Sequence, residues 1–227
     1  MPDPTVLLPP MAGLQQSDIQ IILENLEPDV QAFKRCQVIM RPSGREDSLG
    51  VLLSGTAFLA GENEAADRRI VEYFEQGDLL GKHMLLNVRE SVCYVISKHP
   101  CKVAFISYRK LLAYCAANQP DTIRITNILF HGLERKALIH VYILQQRTLR
   151  GKILLYFHCL RKKYGTSCFT LPMPFVDLAD YLSVDRSSLM REIRKLKDEG
   201  IIKSDRRRIF CTDEGERLAE HQISVKY

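Results

Sequence analysis

Two amphipathic helices separated by a tight turn form the clearest pattern along the chain, over residues 177–200. Their apolar positions recur at spacings of three and four residues, which predicts one buried face on each helix. These positions are Leu178, Ala179 and Leu182 in the first helix, and Leu189, Ile193 and Leu196 in the second. Ser183 and Val184 supply the turn. Asp185 is predicted to cap the second helix by accepting the backbone N–H of Ser187 or Ser188, and Gly200 to end it.

The other faces of the second helix are polar in the first turn and basic afterwards. They carry Arg186, Ser187, Ser188, Met190, Arg191, Arg194, Lys195 and Lys197. Short polar groups followed by guanidinium groups can contact base edges and phosphates in a major groove. The pattern therefore predicts a DNA recognition helix, although helix pairs of this spacing also occur in proteins that never contact DNA.

A charged turn between two short apolar runs follows the helix pair. Residues 201–203 and 209–211 flank the turn 204–208, which predicts a β-hairpin wing. Lys203, Arg206, Arg207 and Arg208 are expected to contact the phosphate backbone, where their role is affinity and register. The alternative is a turn that is simply solvated.

The N-terminal half changes from a helical to a strand-like period. Residues 14–34 contain helix-like material from Ser17 to Leu26. Short apolar runs with glycine turns then predict an antiparallel sandwich or barrel. The runs are 36–40, 49–53, 57–60, 69–74, 79–80, 92–96 and 102–106, with turns expected at Gly44, Gly55, Gly61, Gly77 and Gly81. The turns at Gly55 and Gly77 are expected to need positive φ.

A helical region follows these strands. A short helix is predicted at Arg109–Asn118, and a long one runs from Thr122 to about Leu149 without proline. The long helix has apolar residues on more than one face, so it must be covered on several sides. Pairing with the same helix of a second subunit is the favoured interpretation, and a helix buried within a monomer is the alternative.

Composition and charge favour a sensor attached to a nucleic-acid-binding domain. The 227 residues are enough for two domains, with 46% hydrophobic and 26% charged residues. Residues 1–149 hold 16 Lys and Arg against 16 Asp and Glu. Residues 150–227 hold 16 against 11, which is the whole net charge of +5. A basic C-terminal part on a neutral N-terminal part is typical of such a sensor.

Other classes of protein find little support in the sequence. There is no signal-peptide layout and no apolar run of about 18 residues, which predicts a cytoplasmic protein without a membrane partner. The seven cysteines form no C-x-x-C pair, and His131 and His140 are interpreted as ordinary polar or packed residues, so no metal site is expected. No phosphate-binding loop or nucleophile motif occurs, so no catalytic residue and no enzyme activity are predicted.

Three blocks in order resemble the Crp/Fnr family of bacterial transcription regulators. They are DSLGVLLSG at 47–55 with GDLLG at 77–81, then CKVAFISY at 101–108, and finally the reader motif from Leu178 through Arg186 and Arg191 to Ile202. The resemblance covers the chain from about residue 14 to 215. It implies an α+β fold with an N-terminal antiparallel β-roll (double-stranded β-helix or jelly roll) effector domain over 1–120. A long dimerisation helix over 121–149 and a winged helix-turn-helix over 150–227 would follow.

The resemblance also implies partners and site residues. The expected partners are a second copy of the chain, a near-palindromic operator of double-stranded DNA, and RNA polymerase. The family's base-reading and phosphate-contacting positions fall on Arg186, Ser187, Ser188 and Arg191. Ser187 stands where many members carry a glutamate that accepts from cytosine. A serine can donate or accept, so a looser base preference is expected here than at the family's usual operator. The whole predicted DNA-binding set is Asp185, Arg186, Ser187, Ser188, Arg191, Arg194, Lys195, Lys203, Arg206, Arg207 and Arg208.

The effector site departs from the family's nucleotide-binding pattern. Members that bind cyclic nucleotides carry Gly-Glu after the Gly-Asp turn and Arg-Ser about ten residues on. Here Lys82 follows Gly81, and the Arg-Ser positions hold Ser91 and Val92. An intact cyclic-nucleotide site is therefore not expected, and the effector and any cofactor stay unassigned. The candidate effector pocket consists of Gly81, Lys82, His83, Arg89, Ser91 and Val92.

Several inputs are compatible with this pocket. Lys82, His83 and Arg89 could bind an anionic metabolite, or they could be solvated loop charges. His83 could ligate a haem, and Arg89 could replace the missing phosphate-binding arginine of a cyclic-nucleotide site. A redox signal, or a constitutive DNA binder with a vestigial effector domain, completes the alternatives.

Overall fold

The computed structural model of the chain describes residues 20, 23–41, 48–62, 68–81, 93–117 and 139–224. They fall into two compact units, one within 20–117 and one within 139–224. Each unit is described by itself. The predicted α+β fold class is confirmed, with strands dominating the first unit and helices the second.

The first unit contains two antiparallel sheets followed by a helix. One sheet has the strand order β1-β8-β3-β6 and the other has the order β2-β7-β4-β5. The arrangement confirms the predicted antiparallel β-roll. Its elements are β1 (Asp29–Phe33), β2 (Val38–Met40), β3 (Ser48–Ser54), β4 (Ala57–Glu62), β5 (Arg68–Phe74), β6 (Leu79–Leu80), β7 (Cys93–Ser97), β8 (Cys101–Ser107) and α1 (Tyr108–Ala117).

Strand β8 is buried on both faces because it lies between two apolar clusters. Val103 and Phe105 join the core of Phe33, Leu52 and Phe74. On the opposite face of the same sheet, the alternate residues Ala104 and Ile106 pack with Leu26, Leu49, Val51 and Leu111. Because side chains alternate along a strand, one run of apolar residues can fill both layers. The near-continuous apolar sequence of 103–106 follows from this position.

Strand β1 was not predicted from the sequence. Residues 29–33 follow the helix-like segment predicted for Ser17–Leu26 and pair with Phe105–Cys101 in an antiparallel ladder. The described helical turn ends by Asn25. Glu27 has a positive φ of 42°, and Pro28 follows it. A residue before proline is disfavoured in the helical region, so the chain turns into the sheet here.

The glycine predictions are correct at the tightest turns and wrong at one position. Gly55 and Gly77 have φ of 85° and 88°. A Cβ on Gly55 would lie 2.3 Å from the carbonyl oxygen of Pro100, which only glycine avoids. Gly61 lies inside β4 rather than in a turn. A Cβ there would lie 3.3 Å from Sγ of Cys93, so this glycine allows a close approach of β7.

The second unit begins with a helical segment at 139–144 and continues with four helices and a three-stranded sheet among its described residues. The sheet has the order β10-β11-β9. Its labelled elements are α2 (Leu149–Tyr164), β9 (Cys168–Thr170), α3 (Phe175–Tyr181), α4 (Arg186–Asp198), β10 (Ile202–Asp205), β11 (Arg208–Cys211) and α5 (Asp213–Ser224).

The long helix predicted from Thr122 to about Leu149 ends early. Residues 118–138 lie outside the described residues, and the described helical segment stops at Leu144. Thr148 then adopts an extended conformation, and its hydroxyl accepts the backbone N–H of Gly151 at 3.0 Å, which caps α2. No proline or glycine stands between Gly132 and Thr148, so composition did not indicate this break.

Helix α2 is the centre of the second unit. Of its residues, Gly151 and the whole run 153–160 are buried, as expected for a helix covered on several sides. Helix α5 packs against α2, and α2 also contacts β9 and α4. Gly165 ends α2 with a φ of 64°. The sequence analysis named neither α2, β9 nor α5 as separate elements.

Candidate DNA-binding site

The predicted helix pair is formed by α3 and α4. Its six predicted apolar positions, from Leu178 to Leu196, are all at most 3% exposed. Pro174 is the N-cap residue of α3 rather than part of its first turn, with φ of −63° and ψ of 158°. In the connecting turn, Ser183 has a positive φ of 54°, and the N–H of Val184 donates to the carbonyl of Ala179 at 3.0 Å. The turn geometry thus fixes where α4 begins.

Asp185 caps α4, as predicted, and it also organises the first turn. One carboxylate oxygen, Oδ1, accepts the N–H of Ser188 at 2.8 Å and the hydroxyl of Ser187 at 2.5 Å. The hydrogen bond from Ser187 is the main reason that the pKa of the Asp185 carboxyl lies well below its usual range. The bonds from Ser188 and the charge of Arg191 lower it further. Asp185 is therefore an anion, and it accepts hydrogen bonds from the first turn of α4.

The outward face of α4 carries the predicted contact residues. Ser188 is half-buried, and its hydroxyl accepts a hydrogen bond from Nη2 of Arg191 at 3.0 Å. The structure thus joins Asp185, Ser187, Ser188 and Arg191 in one hydrogen-bonded group. The exposed members of the face are Arg186, Ser187, Met190, Arg191, Arg194, Lys195 and Lys197. Of these, Lys195 lies 3.9 Å from Glu192 on the same helix.

The inner side of α4 is fixed to α2 by one arginine that the sequence analysis did not identify. Nε of Arg150 donates to Glu192 at 2.7 Å, and its two terminal nitrogens donate to Glu199 at 2.7 and 2.8 Å. The bidentate bond to Glu199 and the bond to Glu192 raise the pKa of Arg150, and Arg150 lowers the pKa of Glu199. Both carboxylates thereby share one guanidinium group on α2, and Glu192 also lies near Lys195.

Two further contacts attach the turn of the helix pair to its surroundings. Nζ of Lys152 donates to the carbonyl of Leu182 at 3.1 Å. Nε2 of His140 lies 2.7 Å from the carbonyl oxygen of Tyr181, so this ring nitrogen carries the proton. The rings of His140 and Tyr181 stack with their centroids 4.0 Å apart. His140, interpreted from sequence as an ordinary polar or packed residue, therefore connects the segment 139–144 to the end of α3.

The predicted wing is formed by β10 and β11, with β9 as a third strand. Asp205 pairs with Arg208, and Arg206 at the tip has a φ of 49°. Arg208 belongs to strand β11 rather than to the turn, and its Nε lies 3.2 Å from Sγ of Cys168 on β9. All four predicted wing cations, Lys203 and Arg206–Arg208, are exposed. The backbone at the tip is fixed by the N–H of Leu171, which donates to the carbonyl of Arg207 at 2.8 Å.

Only one residue of the candidate effector pocket belongs to the described chain. Gly81 has a φ of 82°, and a Cβ there would lie 2.4 Å from Cε of Met40. This glycine is required by its backbone conformation and by its contact with the core. Lys82, His83, Arg89, Ser91 and Val92 lie outside the described residues.

Burial distinguishes the cysteines. Desolvation raises the pKa of Cys101 to about 11 and that of Cys159 to about 12, so these two thiols stay protonated at neutral pH. Cys36 is exposed in the turn before β2, whereas Cys101, Cys159 and Cys211 are buried. Within the described parts of the chain, no cluster of three or more His, Cys, Asp or Glu side chains is placed to hold a metal ion. The same parts contain no helix with the length and apolar content needed to cross a membrane.

Sequence comparisons agree with the geometry. The family model for a Crp-like helix-turn-helix domain matches residues 151–220, and the model for a cyclic nucleotide-binding domain matches residues 30–118. No curated protein sequence gave a significant match. A winged helix-turn-helix and a cyclic-nucleotide-binding-like domain in one chain define a class of transcription regulators with a sensory domain.

Solved structures share the fold of this chain. FixK2 from Bradyrhizobium japonicum has a TM-score of 0.66 at 16% identity, over 84% of this chain and 95% of that one. A CooA variant from Carboxydothermus hydrogenoformans has a TM-score of 0.71 at 13% identity, over 93% and 98%. The c-di-GMP-responsive regulator CLP from Xanthomonas campestris has 0.64 at 18% identity, over 87% and 99%. The chain belongs to the Crp/Fnr family of transcription regulators.

The capping group gives a prediction for the titration of Asp185. Because its folded-state pKa is lowered, the cap stabilises the protein above the usual carboxyl range. That stabilisation is lost as the pH falls through the folded-state value. Ser187→Ala removes the shorter of the two hydrogen bonds to Oδ1 and should raise the pKa of Asp185 towards its ordinary value, as measured by NMR titration of the carboxyl carbon. Ser204→Ala in the wing is the control. An unchanged titration in Ser187→Ala would contradict the hydrogen-bonded group.

The Arg150 contacts give a prediction for stability. Arg150→Ala should lower the free energy of unfolding by about 1 kcal/mol at neutral pH, because Glu192 and Glu199 lose a partly exposed partner. The lowered pKa of Glu199 means that the difference from wild type should shrink as acid protonates it. Denaturant unfolding at several pH values measures this. Arg147→Ala, at an exposed position before α2, is the control. A pH-independent difference would contradict an ionic cause.

Proposed function

We propose that the protein binds a near-palindromic operator as a homodimer, with α4 of each subunit in a major groove. The observation that carries this proposal is the division of charge on α4. Glu192 and Glu199 are bound to Arg150, while Arg186, Arg191 and Arg194 are exposed. A helix with this division presents cations and short polar groups to a groove. Two such helices would lie about 34–36 Å apart.

The contact residues divide into two roles under this proposal. Arg186, Ser187, Ser188 and Arg191, in the first turns of α4, would contact base edges and adjacent phosphates. The exposed cations further along α4 and on the wing would contact phosphates only, which sets affinity and register. This second set is Arg194, Lys195, Lys203, Arg206, Arg207 and Arg208.

The remaining domains supply dimerisation and sensing in the proposal. We assign the sensing role to residues 1–120, the dimer contact to 121–149 and DNA binding to 150–227. A small molecule or a redox change in the first domain would alter the pairing of the long helices and thereby the spacing of the two α4 helices. CLP is named as c-di-GMP-responsive, but the effector positions of this chain lack the nucleotide-binding pattern. The proposed effector is therefore an unidentified signal, and RNA polymerase is a proposed partner.

Substitution of one residue from each set tests the division of roles. Full-length protein is used to select DNA from a random pool, and binding to the selected operator is measured against salt. Arg191→Ala should cost roughly 1–3 kcal/mol of discrimination at one position of each half-site. Arg207→Ala should weaken binding to all DNA similarly and reduce the salt slope by about 1, because one phosphate contact is lost.

Two outcomes would contradict the proposal. Selection of no common sequence by the wild-type protein would exclude sequence-specific binding. Operator binding unchanged by either substitution would show that α4 and the wing are not the contact surface. Arg147→Ala, which removes an exposed positive charge outside both sets, controls for net charge. Operator affinity that is indifferent to added metabolites and to redox state would favour a constitutive binder with a vestigial effector domain.

A further inference from the structure

Whether the hydroxyl of Ser187 donates or accepts a hydrogen bond decides which bases it can recognise. A serine hydroxyl has one proton and two lone pairs. A free serine can therefore donate to guanine, to thymine or to N7 of adenine, or accept from the amine of cytosine or adenine. Sequence alone therefore gives Ser187 no base preference. The structure supplies a further constraint, because the hydroxyl proton already has an acceptor within the protein.

Asp185 is that acceptor. The hydroxyl of Ser187 lies 2.5 Å from Oδ1 of Asp185, within the short range of hydrogen bonds from a hydroxyl to a carboxylate. An ionised carboxylate can only accept, so the proton of this bond belongs to Ser187. The exposed lone pairs of Ser187 are then left as acceptors at the outward face of the first turn of α4.

Neighbouring groups keep the hydroxyl of Ser187 donating to Asp185. Oδ1 of Asp185 also accepts the N–H of Ser188, which holds the carboxylate in the capping position. The hydroxyl of Ser188 accepts from Nη2 of Arg191, so this guanidinium group is bonded to Ser188 and not to Ser187. Because Asp185 is committed to the helix start, it would act on the base through Ser187 and not by direct contact.

We propose that Asp185 is a positioning residue that fixes Ser187 as a hydrogen-bond acceptor, so that each half-site carries cytosine or adenine where Ser187 meets the major groove. These two bases present an exocyclic amine there, whereas guanine and thymine present carbonyl oxygens. The inference rests on the proposed function, because it requires α4 to lie in the groove. A serine–aspartate pair would in this way replace the acceptor that a single glutamate supplies in other family members.

Base selection by four full-length proteins tests the inference. The wild type should enrich cytosine or adenine about tenfold over guanine or thymine at one position of each half-site. Ser187→Ala should reduce this to about threefold or less and leave the other positions unchanged. Asp185→Gly, a substitution that most N-caps tolerate, frees the hydroxyl and should admit guanine and thymine at the same position. Asp185→Asn keeps a carbonyl acceptor and should retain the preference.

Modified operators test the same atoms without changing the protein. The selected cytosine or adenine is replaced by a base analogue that lacks the exocyclic amine. Wild-type affinity should fall by about tenfold, and affinity of Ser187→Ala should change by less than about twofold. Circular dichroism and binding to unrelated DNA show whether each variant keeps its fold and its phosphate contacts.

The outcomes separate this inference from the proposed function. If the wild type selects an operator but Ser187→Ala selects the same bases at every position, the inference is wrong while the proposed function stands. The inference is also overturned if Ser187→Ala loses the preference and Asp185→Gly keeps it, because Asp185 would then not set the polarity. Failure of the wild type to select any common sequence would instead refute the proposed function.

Discussion

The orientation of α4 is the constraint on which the reading surface depends. Leu189, Ile193 and Leu196 are buried, and each fully buried aliphatic side chain contributes about 1.5–3 kcal/mol. Rotating α4 about its axis would expose this stripe and is therefore unfavourable. With the apolar face fixed inward, the first-turn serines and the arginines can only lie on the remaining faces. The outward chemistry of the site thus follows from the packing of its inner side.

Electrostatics reinforce the same orientation. Glu192 and Glu199 are the acidic residues of the α4 region that contact Arg150, so their negative charge is partly offset on the side facing α2. The outward face keeps its cations, as binding to a polyanion requires. Asp185 is a carboxylate at the start of this basic face, and its charge interacts with the helix N-terminus and with the hydroxyl of Ser187. In the proposal, a carboxylate that would otherwise repel DNA orients the serine that contacts a base.

The sequence predicted those parts of the fold whose signal is local and periodic. Strict spacing of apolar residues identified α3 and α4, and a charged turn between two apolar runs identified the wing. Strand β1 was missed because its pairing partner, β8, lies about seventy residues away along the chain. The break at Thr148 was missed because it is made by a side-chain cap rather than by glycine or proline. Helix α2 was missed because it is buried on several sides and lacks a clear polar face.

The residues of the site could be predicted from the sequence, but most of the hydrogen bonds between them could not. Patterning indicated which residues of α4 are exposed, and the capping rule identified Asp185. The bonds from Arg150 to residues 42 and 49 positions later depend on tertiary packing, which spacing along the chain cannot reveal. The bond between Ser187 and Asp185 depends on side-chain rotamers. Because that bond uses the hydroxyl proton of Ser187, this serine is expected to act as an acceptor and not as a donor towards a base.

A crystal structure of the protein bound to its selected operator tests the proposed contacts most directly. In this complex α4 should lie in the major groove with its first turn towards the bases. Ser187 should stay bonded to Asp185 while its oxygen accepts from a cytosine or adenine amine, and the wing arginines should contact phosphates. A complex in which α4 lies outside the groove, or in which Ser187 turns away from Asp185 to donate to a base, would contradict these contacts.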